Sequence, residues 1–217
     1  MQKRGKISKR KYALSKRTLR LISITCLLLL SILIFLDKNY IYPSLLSKAE
    51  NKSQNTNSDF EIFHSHVFDV INIVDGDTLD INCPDNQKSY TRIRLLGVDT
   101  PEIYSESGEM FFAREASEFT KELVLGKQVT IFLDEISDTR DKFDRLLAYV
   151  FLPDGRFLNE LLLSEGFAYS YTKYRHSYYN KYNQLESRAK SNKKGLWQNV
   201  KHEQFPQWLK ESIEQDN

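Results

Sequence analysis

Acidic residues and arginines are grouped at three places in this 217-residue chain. The segment 75–78 reads Asp-Gly-Asp-Thr, the segment 94–102 reads Arg-Leu-Leu-Gly-Val-Asp-Thr-Pro-Glu, and the segment 141–145 reads Asp-Lys-Phe-Asp-Arg. Carboxylate oxygens are the ligands that hard divalent cations prefer, and the planar guanidinium of arginine binds phosphate through two parallel hydrogen bonds. Together the three segments predict metal-assisted cleavage of a phosphodiester.

Asp77 and Asp99 are the best candidates for a pair of metal ligands. Each follows a strand-like pattern and lies in a predicted turn, where side chains from different strands can converge. The backbone carbonyl of Thr100 can add a neutral ligand. Each segment by itself is typical of an ordinary turn or a helix entry, so the prediction depends on both segments together.

Two arginines and a glutamate complete the predicted chemistry. Arg94 lies five residues before Asp99, so that on a strand it can reach a phosphate held by the cation. Arg145 is the second candidate, and the pair would stabilise the extra negative charge of a five-coordinate phosphorus transition state. Glu102 either deprotonates the attacking water or orients it, and the sequence leaves both roles open.

The N-terminal part of the chain combines a basic run with an apolar run. Residues 1–20 hold nine Lys or Arg and no acidic residue, so the rest carries 22 basic and 29 acidic side chains, a net charge of −7. That balance excludes an ordinary polycationic nucleic-acid binder. Nucleic acid would therefore need a local basic cleft or a bound cation.

Two interpretations of the apolar residues 21–36 remain open. As a helix the run would span about 24 Å, which is short for a transmembrane anchor and long for the core of a signal peptide. Both interpretations place residues 1–20 in the cytoplasm and the body outside it. We therefore expect an extracytoplasmic body, either anchored in the membrane or secreted after signal cleavage.

Composition and periodicity divide the remainder of the chain. Polar residues 37–59 predict a flexible linker, and residues 201–217 a charged, peripheral tail. Residues 60–200 predict a folded domain, which we expect to be monomeric and to need no obligate protein partner. Alternating and apolar runs predict five strands, and spacings of 3–4 residues predict about three helices. The strands are Val67–Val74, Leu79–Ile81, Tyr90–Val98, Val129–Leu133 and Leu146–Leu152, and the helices are Ser107–Leu125, one capped by Asn159, and one through Tyr178–Ala189.

The first three strands follow one another without crossover helices, which favours a small barrel over a parallel sheet. We therefore expect a mainly β fold with helices (α+β), namely a five-stranded OB-type barrel with an additional hydrophobic helix at the N-terminus. Barrels of this type commonly bind oligonucleotides on their surface.

The order of four sequence blocks resembles the thermonuclease family, whose members carry a staphylococcal-nuclease-like domain. The blocks are residues 73–78 (Ile-Val-Asp-Gly-Asp-Thr), 94–102, 141–149 (beginning Asp-Lys-Phe-Asp-Arg) and 195–197 (Gly-Leu-Trp). The resemblance covers about residues 62–200 and implies an OB-fold that cleaves DNA and RNA with calcium, leaving 3′-phosphate ends. It does not decide between DNA and RNA as the natural substrate.

The resemblance also assigns roles to residues. It implies that Asp77, Asp99 and the Thr100 carbonyl bind calcium, that Arg94 and Arg145 bind phosphate, and that Glu102 is the catalytic glutamate. It further implies that Lys142 and Tyr174 contact the substrate. An alternative from another class is a catalytically silent OB-fold module that binds nucleic acid or protein, and the retained carboxylates argue against that alternative.

Three positions depart from the family pattern. Phe143 stands where the family has a tyrosine and therefore has no hydroxyl to donate to phosphate. Asp144 stands where the family has a glycine, and it adds a negative charge beside Arg145. Thr172 stands at the position of one of two family tyrosines, of which Tyr174 matches the other. These departures bear on nucleotide docking and leave the catalytic set intact.

Overall fold

The structure, a computed structural model, describes residues 16–37, 56–105 and 108–215. Two compact units divide the chain, residues 1–55 and residues 56–217. The first unit contains the helix α1 (Lys16–Leu36), which covers the apolar run. Within the part of the chain that the structure describes, no helix is long and apolar enough to cross a membrane.

The second unit is built on a closed barrel of five strands, as the sequence predicts. The strands β1 (His66–Asp75), β2 (Thr78–Ile81) and β3 (Thr91–Leu95) follow one another, and β5 (Gln128–Phe132) and β6 (Leu146–Phe151) complete the barrel in the order β1-β2-β3-β6-β5. Buried aliphatic side chains fill its interior because inward and outward residues alternate along each strand. Fully buried examples are Leu79, Ile81, Ile93, Ile131 and Leu146.

The predicted strand Tyr90–Val98 is divided in the structure. It ends as β3 at Leu95, and after a turn Val98–Asp99 forms the short strand β4, which pairs with β7 (Tyr169–Ser170) outside the barrel. Gly97 lies in that turn with φ +77°, and a Cβ atom there would lie 2.5 Å from the ring of His176. Only glycine satisfies both conditions, the positive φ and the close approach of the ring. Gly97 therefore allows the chain to turn out of the barrel at this position.

All three predicted helices are present. They are α3 (Ala113–Val124), α4 (Leu158–Ser164) and α5 (Tyr179–Ser191). The sequence predicts α3 from Ser107, which lies outside the described residues, but residues 108–112 are not helical and the helix begins only at Ala113, after Phe112 with φ +70°. In α3 the predicted apolar face packs as expected, since the Phe119 ring stacks on Phe167 at 4.0 Å between centroids.

The prediction that Asn159 caps α4 is wrong. The N-cap of α4 is Phe157, and Asn159 lies fully buried inside the helix. Its side chain accepts a hydrogen bond from the Val150 N–H (3.0 Å) and donates to the Leu96 carbonyl (2.9 Å). Asn159 therefore joins β6 to the turn after β3, and a buried polar group with such partners is stabilising rather than costly.

Two segments belong to the folded body although the sequence analysis placed them outside it. Residues 56–63 form the helix α2, whereas the linker was predicted to extend to residue 59. The Asp59 carboxylate is buried, and it binds Arg140 at 2.7 Å and the Thr139 hydroxyl at 2.8 Å. The rest of the predicted linker, residues 38–55, lies outside the described residues.

The predicted tail is the second such segment. It contains a short 3₁₀ helix (His202–Gln204) and the helix α6 (Gln207–Gln215). The preceding 3₁₀ turn (Gly195–Gln198) contains Trp197, whose ring lies 6.3 Å from that of Phe205. The tail therefore packs against the body through aromatic side chains.

Candidate active site

Arg94 is the centre of the candidate site. Its Nη2 atom lies 2.6 Å from Asp99 Oδ1 and 3.0 Å from Asp77 Oδ2. Its Nη1 atom donates to the carbonyls of Leu95 (2.9 Å) and Val98 (2.5 Å). The arginine side chain is only 13% exposed, so it holds two carboxylates together in a largely buried position and also stabilises the turn between β3 and β4.

The turn between β1 and β2 meets the turn after β4 through Asp77. The Asp77 carboxylate accepts the Thr100 N–H at 2.7 Å and the Thr78 hydroxyl at 3.0 Å. At Gly76 the two turns approach so closely that a Cβ atom would lie 2.8 Å from the Thr100 side chain, and the Thr120 hydroxyl of α3 donates to the Gly76 carbonyl at 2.6 Å. Glycine at this position therefore allows Asp77 and Thr100 to lie side by side.

Two carboxyl groups at the site, Asp75 and Asp99, are difficult to ionise. Burial raises the pKa of Asp75 to about 7, and the neighbouring charge of Asp77 acts in the same direction. Burial also raises the pKa of Asp99 to about 6, with further increases from Asp77 and Glu102, while Arg94 and the Trp208 N–H oppose the shift. A dication would relieve this repulsion, because a nearby positive charge favours the ionised form.

The electrostatics of Arg94 are complementary to those of the acids. Burial by itself would lower the pKa of Arg94, but the charges of Asp77, Asp99 and Asp75 outweigh burial and raise it. Arg94 is thus always charged. It offers N–H donors to whichever anion lies within reach, which is a carboxylate here and would be a phosphate oxygen in a substrate complex.

Glu102 lies just after Pro101 and is exposed. Its backbone carbonyl accepts the Met110 N–H at 3.0 Å, which fixes the chain at this position. Its charge is close enough to Asp99 to raise the pKa of that carboxyl. An exposed carboxylate beside the buried pair is suitably placed to act on a water molecule at the edge of the site.

Arg145 lies just before the strand that pairs with β3, the strand of Arg94. It directly precedes β6, in which Leu146 pairs with Ile93 in a parallel register. Side chains alternate between the faces of a sheet, and this alternation, continued one residue back from Leu146, would direct Arg145 to the outer face that also carries Arg94. The Arg145 guanidinium binds Asp141 at 2.7 Å and is about a quarter exposed.

Phe143 projects between two cations next to Arg145. Its ring is 65% exposed, with Lys142 Nζ at 4.8 Å and the Arg145 guanidinium carbon at 5.5 Å from its centre. Such cation–π contacts are favourable. The structure therefore places Lys142, Phe143 and Arg145 in one exposed, cationic cluster.

The backbone conformation of Asp144 explains why the family pattern has a glycine at this position. Its φ is +63°, a left-handed conformation in which Asp is tolerated far better than most other side chains. Its carboxylate does not bind Arg145; it accepts a hydrogen bond from Asn86 at 3.0 Å and lies 3.5 Å from Arg140. The added negative charge is thus directed away from the candidate phosphate site.

Tyr174 belongs to a row of aromatic rings that reaches Asp99 through Trp208. It is 67% exposed, and its ring lies 6.0 Å from that of Tyr171, which in turn contacts the Trp208 ring edge-on at 4.9 Å. Trp208 Nε1 donates to Asp99 Oδ2 at 2.7 Å. Trp208 was not predicted as a site residue, although Trp208, Leu209 and Ile213 show a helical spacing after Pro206 that indicates a packed helix.

The donor set fits a hard cation. Asp77 Oδ2 and Asp99 Oδ1 lie within 3.0 Å of a single Arg94 atom, and the Thr100 N–H donates to Asp77 Oδ2 at 2.7 Å. Among the described residues no group of three or more His, Cys, Asp or Glu could hold a metal by itself. An ion here would therefore be bound by the two aspartates, the Thr100 carbonyl and water, which is an all-oxygen set of the kind calcium accepts.

Comparisons with known proteins agree with this geometry. The family model described as staphylococcal nuclease homologue matches residues 92–199. A thermonuclease of Staphylococcus hyicus is 31% identical over 138 residues, which cover 63% of this chain and 78% of that protein. An uncharacterised endonuclease of Escherichia coli O157:H7 is 31% identical over 140 residues, covering 64% and 81%.

A further relative is the endonuclease YncB of Bacillus subtilis, which is 38% identical over 127 residues, 57% of this chain and 58% of that protein. The region that the family model matches, residues 92–199, contains Arg94, Asp99, Glu102 and Arg145. The barrel, the residues around Arg94 and these relatives together show that the chain belongs to the staphylococcal nuclease homologues and is a nuclease.

Proposed function

We propose that the protein is a calcium-dependent endonuclease that hydrolyses the phosphodiester bonds of DNA and RNA and leaves 3′-phosphate ends. The observation that carries this proposal is the convergence of Asp77 and Asp99 on Arg94, with Glu102 at the edge of the site. A protein that only binds nucleic acid gains nothing from carboxylates directed at a phosphate, because like charges repel.

Each residue has a defined part in the proposed reaction. Bound calcium would act as a Lewis acid on the scissile phosphate. Asp77, Asp99 and the Thr100 carbonyl would hold it, while Arg94 and Arg145 donate N–H bonds to the phosphate oxygens from the same face of the barrel. Glu102 takes a proton from water or orients that water for attack, and Tyr174 and Lys142 contact the bound strand.

A cleavage assay with the purified full chain tests the proposal. With calcium we expect single-stranded DNA and RNA to be cleaved to products with 3′-phosphate ends, and with chelator we expect no cleavage. Equal cleavage under both conditions would refute the calcium mechanism. Binding that persists in chelator without any product would instead favour a silent binding module.

We also propose that the barrel works outside the cytoplasm. The support is the charge pattern, since residues 1–20 are strongly basic and the apolar residues 21–36 follow directly, a sequence that keeps the basic side in the cytoplasm. Nuclease activity should then appear on intact cells or in spent medium and should require calcium. Activity found only after cell lysis would contradict this location.

A further inference from the structure

Trp208 reaches the candidate metal site from the far end of the sequence. Its indole Nε1–H donates to Asp99 Oδ2 at 2.7 Å, while Asp99 Oδ1 binds Arg94 at 2.6 Å. Both carboxylate oxygens therefore have a donor, and the two donors lie on different sides of the group. The Asp99 side chain is held in one orientation, with Oδ1 facing Arg94 and Asp77.

The position of Trp208 is itself fixed by contacts around α6. The indole packs edge-on against Tyr171 at 4.9 Å, and the Phe205 ring packs against Tyr169 at 5.9 Å. Lys210 Nζ donates to the Glu203 carbonyl at 2.7 Å, which connects α6 to the preceding 3₁₀ helix (His202–Gln204). Because β7 pairs with β4, Tyr169 lies directly opposite Asp99, so these contacts fix α6 beside the aspartate.

We propose that Trp208 is a positioning residue for the metal ligand Asp99. This inference rests on the calcium site of the proposed function. With Oδ2 held by the indole, Oδ1 is the oxygen presented toward Asp77, where the two aspartates can share an ion. Donors that hold a ligand from behind commonly strengthen metal binding by about 10–100-fold, and an aromatic N–H does so without adding a charge.

The two tryptophans of the chain provide a matched pair of substitutions. Trp208→Phe keeps a ring against Tyr171 and removes the N–H donor. Trp197→Phe makes the same chemical change at an indole whose buried Nε1 has no hydrogen-bond partner among the described residues. We expect calorimetric titration of the full chain to show calcium affinity weakened by about 10-fold or more in Trp208→Phe and unchanged in Trp197→Phe, with kcat at saturating calcium retained.

A second measurement needs no substitution. The wild-type chain contains two indole N–H groups, which give two side-chain signals in a ¹⁵N-correlated NMR spectrum. Adding calcium in the absence of nucleic acid should move one of them, that of Trp208, because its acceptor Asp99 binds the ion, and should leave the Trp197 signal in place.

The outcomes separate this inference from the proposed function. If the wild type binds calcium and cleaves nucleic acid, but Trp208→Phe binds calcium equally well or neither indole signal moves, only the positioning role is refuted. Equal weakening in Trp197→Phe would also refute it, since loss of an aromatic ring contact would then explain the effect. A wild type that neither binds calcium nor cleaves would overturn both proposals.

Discussion

Asp77 and Asp99 bind one and the same atom, Arg94 Nη2, although Asp77 lies in the turn before β2 and Asp99 in the short strand β4 after the arginine's own strand. The guanidinium therefore neutralises a pair of acids that would otherwise repel each other in a largely buried position. A divalent cation would bind the same two carboxylates, and Arg94 would then have donors for a phosphate. The proposed function therefore gives Arg94 two roles, which can be tested separately.

The first prediction concerns Arg94→Ala. Removing one partner of a buried ion pair typically costs about 3–5 kcal/mol, so thermal unfolding in chelator should occur at a markedly lower temperature. Calcium should restore much of that stability, because it neutralises the same acids. Cleavage should nevertheless stay about 10²–10³-fold reduced, as after loss of one transition-state donor.

Arg92→Ala is the control for that experiment. Arg92 lies two residues earlier on β3 and binds Asp80 at 2.8 Å, with a third of its side chain exposed. Its loss should destabilise the protein without any rescue specific to calcium. If calcium stabilises Arg94→Ala no more than it stabilises Arg92→Ala, Arg94 and the ion do not share ligands.

The second prediction separates Glu102 from metal binding. Glu102 is exposed and near Asp99, so Glu102→Gln should leave stability and calcium affinity unchanged while cleavage falls about 10²-fold or more, as for loss of a general base. Calorimetry and single-turnover cleavage measure the two quantities. Glu109→Gln, at an exposed glutamate paired with Arg114, is the control. A loss below tenfold would refute a catalytic role.

The third prediction uses the close approach at Gly76. In Gly76→Ala the new methyl group would lie 2.8 Å from the Thr100 side chain, so Thr100 must move and calcium affinity should fall. The matched control is Gly126→Ala, where the methyl group meets no atom within 4 Å but the backbone has φ +71°. Both variants should lose stability, and only the first should lose calcium affinity in a calorimetric titration. Equal affinity in both would contradict the assignment of Thr100 as a ligand.

The fourth prediction is a pH dependence of stability set by His176. The Tyr149 hydroxyl donates to Asp134 at 2.6 Å and lies 3.0 Å from His176 Nδ1. The buried Nε2 of His176 has no hydrogen-bond partner in the part of the chain that the structure describes. Burial lowers the pKa of His176 below its usual 6.5. The unfolded chain therefore binds the proton first on acidification, and stability is lost as the pH falls below about 6.5.

This loss is best measured as a difference between two proteins, because the raised pKa values of Asp75 and Asp99 act in the opposite sense over the same pH range. Urea unfolding in chelator at pH 7.5 and pH 5 should show a larger decrease in stability for the wild type than for His176→Asn. A pH dependence identical in the two proteins would show that His176 is not the group responsible.

The sequence predicts the barrel well because its strands have a recognisable pattern of apolar and polar residues. Alternation in β1 and β2 and apolar runs in β5 and β6 reflect inward-facing residues that any barrel must bury. The placement of Asp77 in the turn before β2 follows from the same pattern, whereas Asp99, predicted to lie in a turn, is the second residue of the short strand β4. The shared contact of the two aspartates with Arg94 does not follow from the pattern, since it depends on how the turn at Gly97 leaves the barrel.

Contacts between distant segments explain what the sequence analysis did not predict. Asn159 looks like a helix cap because asparagine prefers that position, yet a buried bridge to Leu96 and Val150 determines its place. Asp59 lies in a polar segment typical of a linker, and its partner Arg140 is 81 residues away. Trp208 lies 109 residues from Asp99. The helical spacing around Trp208 indicates a helix, but it does not indicate which part of the protein that helix packs against.

The most direct test of the account is a calorimetric titration of calcium into the full chain and into the double variant Asp77→Asn/Asp99→Asn, with Asp154→Asn as the control. Asp154 is an exposed aspartate paired with Arg156. We predict one calcium ion bound per wild-type and per Asp154→Asn chain, and no binding to the double variant. Calcium binding by the double variant with wild-type affinity would contradict the claim that these two aspartates share an ion.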